Sequence, residues 1–273
     1  MIRELVRIGS ITITPFGVLM AAAFVAAYFQ LVRAFRQTRV GTEEDANAVV
    51  VSAAVGGIIG AKVYYALLYS DWRLLVARGG LVWYGGFLLG TVAVLLVIRH
   101  RRLPLWKTVD ATVPSLALGY AIGRIGCFLV GDDYGVPTDL PWGVKFPVGL
   151  PPTHAGALRS SFGLDLPADI PDDALLAVHP TQLYEAVAAL IIWRVGLRLL
   201  ARPRRDGTTF SVVVALLLAE RFLVEFLRAK DDRFFGAFTL AQIIAVVALV
   251  LVGWLWIFGR GSGPDAAHGK AEL

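Results

Sequence analysis

An all-α polytopic membrane protein is the fold class this sequence predicts, and three observations predict it. Apolar residues make up 57% of the chain and charged residues only 17%. Mean hydropathy is +0.66, well above that of a soluble globular domain. The apolar residues also gather into stretches of about 20, the length a helix needs to cross a bilayer. One bundle can use nearly the whole chain, so 1–260 reads as a single seven-helix transmembrane domain.

The stretches lie near 13–33, 48–69, 80–99, 108–130, 181–200, 208–228 and 238–259. Met1–Thr14 is mixed in character, and no small-residue cleavage site follows it, so it does not read as a cleaved signal peptide. The second stretch contains Lys62, Tyr64 and Tyr65; Lys62 either complements an anion or snorkels to the interface. The third opens with Gly79 and Gly80, then Trp83 and Tyr84, then Gly85 and Gly86. On chemistry alone this reads as aromatic anchoring at the outer interface. Glycine and small residues recur in several stretches, which suits close helix contact in lipid. The fourth, fifth and sixth are the least apolar, because they carry Arg124, Glu185, Arg194, Arg221 and Glu225.

Between the fourth and fifth stretches lies 131–178, rich in Pro, Gly and Asp and too long for a simple connector. It reads as a functional or flexible loop. The residues from 261 to 273 read as a disordered tail. Basic residues set the orientation. Arg33, Arg36 and Arg39, then Arg99, Arg101, Arg102 and Lys107, then Arg198, Arg202, Arg204 and Arg205 cluster in short connections on one side, joined by Arg260 and Lys270. Those of the other side are spread over more sequence and mixed with Asp. The positive-inside rule then places the N-terminus outside, the tail in the cytoplasm and 131–178 outside. The net charge of +5 is explained by these connections and argues for no nucleic-acid partner. The one cysteine, Cys127, excludes an internal disulfide and a cysteine-based zinc site.

Three polar groups suggest chemistry. Gly123-Arg124-Ile125-Gly126-Cys127-Phe128-Leu129-Val130-Gly131-Asp132-Asp133-Tyr134-Gly135 sets an arginine at membrane depth before a glycine-rich acidic turn. An arginine there costs a few kcal/mol or more and usually meets a charge. It either binds phosphate through its forked guanidinium or forms an internal ion pair. In the sixth stretch Arg221, Glu225 and Arg228 are spaced to share one helical face. They either bind a headgroup or form a buried structural pair with Arg228 snorkelling. His179-Pro180-Thr181-Gln182-Leu183-Tyr184-Glu185 opens the fifth stretch, with Pro180 suited to a helix first turn and Gln182 and Glu185 on one face. His179 there exchanges a proton or serves as a structural hydrogen-bonder.

These runs, in this order, resemble the prolipoprotein diacylglyceryl transferase family, and the resemblance extends from the first stretch to the seventh. It implies seven spans in the bacterial cytoplasmic membrane and transfer of a diacylglyceryl group from phosphatidylglycerol to a cysteine thiol in a prolipoprotein signal peptide, releasing glycerol phosphate. Phosphatidylglycerol, signal peptides and membrane lipids are the implied partners, with no cofactor and no metal. The implied catalytic residues are Arg124, Arg221, Glu225, Tyr84, His179 and Asp132. The implied substrate contacts are Arg124, Gly126, Gly135, Gln182, Glu185, Arg228 and Lys62. Four positions depart from the family pattern. Tyr84 stands for a histidine proposed as catalytic, Cys127 for an asparagine, Leu217 for a tyrosine, and Phe16 for an early tyrosine. Asp132 shortens a family glutamate. Other readings are a diverged paralogue acting on another lipid or acceptor, with Cys127 as a nucleophile or a packed thiol, and a non-catalytic lipid-binding protein. A transporter fits less well, since the polar residues collect in one half rather than tracing a path across.

Overall fold

The structure, a computed structural model, describes residues 5–9, 11–77, 80–230, 233–235 and 238–258. The expected tail at 261–273, Arg260, Arg78 and Gly79 lie outside them. A short antiparallel hairpin of β1 (Val6–Ile8) and β2 (Ile11–Ile13) leads into α1 (Pro15–Thr38). Then come α2 (Glu43–Leu68), α3 (Trp83–His100) and α4 (Leu105–Val130). The long connector holds α5 (Ala155–Phe162) and leads to α6 (Thr181–Leu200) and α7 (Thr208–Val224). A second small hairpin, β3 (Arg233–Phe235) with β4 (Phe238–Thr239), precedes α8 (Leu240–Phe258).

A helix thus occupies each apolar stretch, with ends shifted by a few residues. Five of them, α1 to α4 and α8, are long and apolar enough to cross a membrane, as in a multi-pass membrane protein. α6 and α7 are more polar or shorter. α6 carries Glu185, Arg194 and Arg198, and α7 has 17 residues and includes Glu220 and Arg221.

Local signals start the helices. The Thr14 hydroxyl accepts from the Gly17 amide at 3.1 Å, with Pro15 in the first turn. Thr42 and Asp45 cap α2 reciprocally. α7 is capped from a distance: the buried Asp110 carboxylate of α4 accepts from the Gly207 and Phe210 amides at 2.7 and 2.6 Å. Pro180 is the N-cap of α6 rather than a residue of its first turn.

Ion pairs and packing align the ends. Arg101 after α3 reaches Glu44 and Asp45 of α2 at 3.0 and 3.1 Å, and Arg36 of α1 reaches Glu43 at 2.5 Å. Leu31, Phe35, Ala46, Val49 and Ala111 form a core there, with Leu103 and Leu200 packed on it. The basic connections after α1, α3 and α6 therefore share one end of the bundle. The close of α4, the start of α6 and the close of α7 meet at the other.

α2 and α3 approach through glycines. A Cβ on Gly60 would overlap the Gly85 carbonyl, and one on Gly56 would stand 2.7 Å from Ala93 Cβ. Gly85 and Gly86, expected to shape an interfacial segment, are thus part of this seam. α4 packs on α1, α6 and α7.

The connector is a folded cap. Tyr134, Phe146, Leu158 and Val178 form a core closed by Ala229, with Phe128 of α4 packed on it. Strand-like bridges join Val144 to Val178 and His154 to Leu175, and Tyr134 Oη donates to the Pro151 carbonyl at 2.8 Å. Arg159 of α5 binds Asp172 at 2.5 Å and donates to the Pro167 and Ile170 carbonyls. The flexible-loop alternative for 131–178 gives way to a packed unit, because its apolar residues suffice to build a core.

Candidate functional site

The cap turn Asp132–Gly135 is seated between the start of α6 and the residues after α7. Gln182 Nε2 donates to the Asp132 carbonyl at 2.5 Å, and Thr181 Oγ1 donates to the Asp133 carbonyl at 2.9 Å. The Gly135 amide donates to His179 O and the Val136 amide to Leu227 O, both at 2.8 Å. The Ala229 amide closes the frame on Tyr134 O at 3.2 Å. A Cβ on Gly135 would strike the Leu227 carbonyl, His179 and Thr181, so only glycine fits the crossing.

This seating corrects the sixth stretch. Helical structure in α7 ends at Val224, Glu225–Leu227 form one 3₁₀ turn, and Arg228 is extended. Arg228 is therefore not on a shared helical face with Arg221 and Glu225. The backbone of 227–229 is bonded to 134–136 in a strand-like way, which excludes further helix. Arg228 does not snorkel either, since only 2% of its side chain is exposed.

The seating brings three arginines and three carboxylates together. Arg124 Nη1 donates to Asp133 Oδ2 at 2.9 Å, while its Nε stands 3.0 Å from Glu185 Oε2. Arg228 Nη2 donates to Asp133 Oδ1. Its Nη1 lies 3.7 Å from Glu185 Oε1 and its Nε 3.7 Å from Glu225 Oε2. Arg221 Nη1 meets Glu225 Oε2 at 2.5 Å. Glu185 and Glu225 are buried, and each has one neutral donor: Tyr120 Oη reaches Glu185 at 3.2 Å, and Thr239 Oγ1 reaches Glu225 at 3.0 Å. Such pairing and hydrogen bonding offsets the cost of burying these two carboxylates. The guanidinium of Arg124 also lies 5.0 Å from the Tyr120 ring centre.

The two acidic residues of the turn differ. Burial raises the proton affinity of Asp133, but Arg228, Arg124 and Lys230 outweigh it and hold the carboxyl below its ordinary range. Asp132 is pushed above that range, first by burial and then by the Asp133 charge. Cys127, Asp132 and Asp133 offer ligand atoms within 4.8 Å of one another. Two guanidiniums already hold Asp133, so a metal cation there would face two like charges.

Arg124, Asp132, Gly135, His179, Gln182, Glu185, Arg221, Glu225 and Arg228 thus gather around one turn. The side chain of Gln182 is committed to the Asp132 carbonyl, and His179 Nδ1 lies 3.3 Å from Tyr184 Oη. Gly126 faces α1, where a Cβ would stand 3.2 Å from the Phe16 ring. Tyr84 and Lys62 belong to the α2–α3 pair. Tyr84 is 40% exposed and edge-on to Trp83, and Lys62 Nζ donates to Ala77 O at 2.5 Å.

Four participants have no role assigned from the sequence: Tyr120, Glu220 and Thr239, and Asp133, which the sequence marks only as the second carboxylate of the acidic turn. Tyr120 is one helical turn before Arg124, a spacing that could have found it. Glu220 interrupts an apolar helix beside Arg221, and both its carboxylate oxygens are buried with no hydrogen-bond partner among the described residues. Thr239 has no signal in its local sequence.

A profile of the prolipoprotein diacylglyceryl transferase family matches residues 3–258. A protein of Synechococcus elongatus is 32% identical over 97% of this chain and 90% of its own length, and one of Acaryochloris marina is 32% identical over 96% and 93%. One of Geobacter sulfurreducens is 31% identical over 90% of each. All three are named phosphatidylglycerol–prolipoprotein diacylglyceryl transferase.

Proposed function

The chain belongs to the prolipoprotein diacylglyceryl transferase family, and on that premise we propose that it moves the diacylglyceryl group of phosphatidylglycerol onto the cysteine thiol of a prolipoprotein signal peptide. The observation that carries this reading is the convergence of Arg124 and Arg228 on one anionic group, with Arg221 held nearby by Glu225. Two forked guanidiniums form a seat for a phosphodiester.

In the reaction a sulfur–carbon bond forms and the carbon–oxygen bond to phosphate breaks. The electron pair goes to the phosphate oxygen, and glycerol phosphate leaves. Arg124, Arg221 and Arg228 stabilise the charge that grows on the leaving phosphate. Glu185 and Glu225 fix the planes of those guanidiniums. Asp132 takes the thiol proton and passes it to the departing phosphate; its raised proton affinity makes it a better base than an ordinary carboxylate. His179, Gln182 and Gly135 hold the turn that presents Asp132, and Gly126 keeps α4 close to α1. Tyr84 and Lys62 stand on the α2–α3 pair as contacts for lipid or peptide. The thiol comes from the substrate, so Cys127 has no chemical step.

The same reading makes all seven long helices membrane spans, with α6 and α7 tolerated because their charges face one another. The basic end of the bundle lies in the cytoplasm, the N-terminus outside, and the site in the outer half beneath the 131–178 cap.

The test supplies purified protein in detergent with phosphatidylglycerol labelled in its acyl chains and a lipobox peptide. Label is expected on the peptide and absent from a peptide with serine in place of its cysteine. No label on the cysteine peptide, with phosphatidylglycerol still bound, would overturn the proposal in favour of lipid binding alone.

A further inference from the structure

The arginine seat is not empty. Asp133 fills it in the manner of a phosphate, one carboxylate oxygen to Arg124 and the other to Arg228. Its surroundings divide into fixed and movable parts. The side chains of Glu185 and Glu225 are fully enclosed, whereas 40% of the Asp133 side chain is exposed. The backbone of the turn does not depend on that side chain, because Thr181, Gln182, Gly135, Val136 and Ala229 make the bonds that hold it. Asp133 also has a φ of 57°, in the left-handed region that aspartate tolerates better than most residues.

The charge count supports an exchange. Within the ion pairs Arg124, Arg221 and Arg228 match Glu185, Glu225 and Asp133 one for one, with Lys230 and Glu220 as further charged side chains nearby. A phosphodiester carries one negative charge, so replacing the Asp133 carboxylate with it leaves the net charge of the cluster unchanged. Removing Asp133 with no replacement would leave two buried guanidiniums short of an anion, which is costly.

Resting on the reading of these arginines as the phosphate seat, we infer that Asp133 is a built-in occupant of that seat, which the phosphate of the incoming lipid displaces and which returns as the product phosphate leaves. Asp133 thereby sets the affinity for phosphate anions at this site. The carboxylate rotates outward through its exposed side while the backbone of the turn stays in place. An internal competitor lowers apparent affinity by the fraction of time that the seat is free.

The test compares wild type with Asp133→Asn and Asp133→Gly, both of which suit the left-handed backbone. KM for phosphatidylglycerol in mixed micelles, inhibition by glycerol phosphate and inhibition by inorganic phosphate are measured. Both variants are expected to have a KM roughly three- to tenfold lower and to be inhibited by glycerol phosphate at correspondingly lower concentrations. A matching gain for inorganic phosphate would show that the seat reads the anion itself; a gain confined to the glycerol phosphates would show that it also reads the headgroup. Either supports displacement. An unchanged or raised KM in folded variants would overturn it and leave Asp133 as a structural clamp.

Arg124→Gln separates the two levels. If it raises KM while the Asp133 variants do not lower it, the seat stands and the displacement fails. If it leaves KM unchanged, the seat itself fails. Should wild type show no transfer, calorimetric binding of glycerol phosphate to the same proteins replaces KM. Binding is then expected to be tighter than wild type in the Asp133 variants and weaker in Arg124→Gln, and Asp133 variants that bind no more tightly would overturn displacement.

Discussion

Arg124 gives one nitrogen to Asp133 and holds another 3.0 Å from Glu185, so two carboxylates fix its plane. A lysine at this position would keep the charge and lose the fork. Arg124→Lys is therefore expected to cut transfer by about 10²-fold, on the scale of losing one fixed donor to a developing charge. Its thermal stability should change less than that of Arg221→Gln, which takes from the buried Glu225 its closest cation and leaves it Thr239 and the more distant Arg228, at a cost approaching the roughly 3–5 kcal/mol of a broken buried pair. Melting curves in detergent beside single-turnover transfer rates distinguish the two. A melt for Arg124→Lys as depressed as that for Arg221→Gln would show that Arg124 is chiefly structural. Asp133 adds a dependence on pH. Its carboxyl is held below the ordinary value near 3.8, so the native state releases that proton more readily than the unfolded chain. The resulting stability is fully present above the unfolded value and is lost as pH falls through the folded one. Asp132, shifted the other way, opposes this trend. The difference between wild type and Asp133→Asn isolates Asp133 and should shrink as pH falls below about 4; a gap that stays constant down to about pH 3 would contradict the assignment.

At the scale of elements, two contacts between helices are sharp enough to test. Asp110 caps α7 from α4, and Asp110→Ala leaves the Gly207 and Phe210 amides without that acceptor. A loss of about 1–2 kcal/mol is expected, the upper range for a cap, read as a lower melting temperature with transfer per folded molecule retained. Gly60 meets the Gly85 carbonyl so closely that Gly60→Leu should separate α2 from α3, in the manner of overpacked cores. It should lower the yield of folded protein more than Gly253→Leu, because Gly253 has open space around it. The helices themselves are legible from hydropathy. So are Arg124, Arg221 and Glu225, because a charge inside an apolar stretch is conspicuous. The end of α7 is not legible. Its periodicity continues through Arg228, and the helix stops because residues 134–136, far away in sequence, take the backbone of 227–229. The role of Asp133 is hidden for a similar reason. Beside Asp132 it looks like an ordinary turn residue, and its place between two arginines exists only once α4, α6 and the 225–229 segment meet.

The whole molecule has one basic end and one end that gathers the cap and the arginine cluster. α1, α3 and α6 close at the basic end, where Arg36 and Arg101 pair with the acidic first turn of α2. The cap spans 131–178 at the other end and packs its own apolar core against Phe128 of α4 and Ala229. Positive connections are retained in the cytoplasm, so the polarity of the bundle predicts that the cap and the cluster face outward, where an enzyme can meet a secreted chain while drawing lipid from the outer leaflet. Cys127 is the one native cysteine, which makes the prediction simple to examine. In a Cys127→Ser background, Asp165→Cys places a thiol on an exposed part of the cap and Arg204→Cys places one on the exposed connection between α6 and α7. A membrane-impermeant maleimide applied to intact cells should label the first and spare the second until the membrane is opened. Labelling in the reverse order would turn the bundle over, place the arginine cluster at the cytoplasmic leaflet, and require the acceptor peptide to be modified before it crosses.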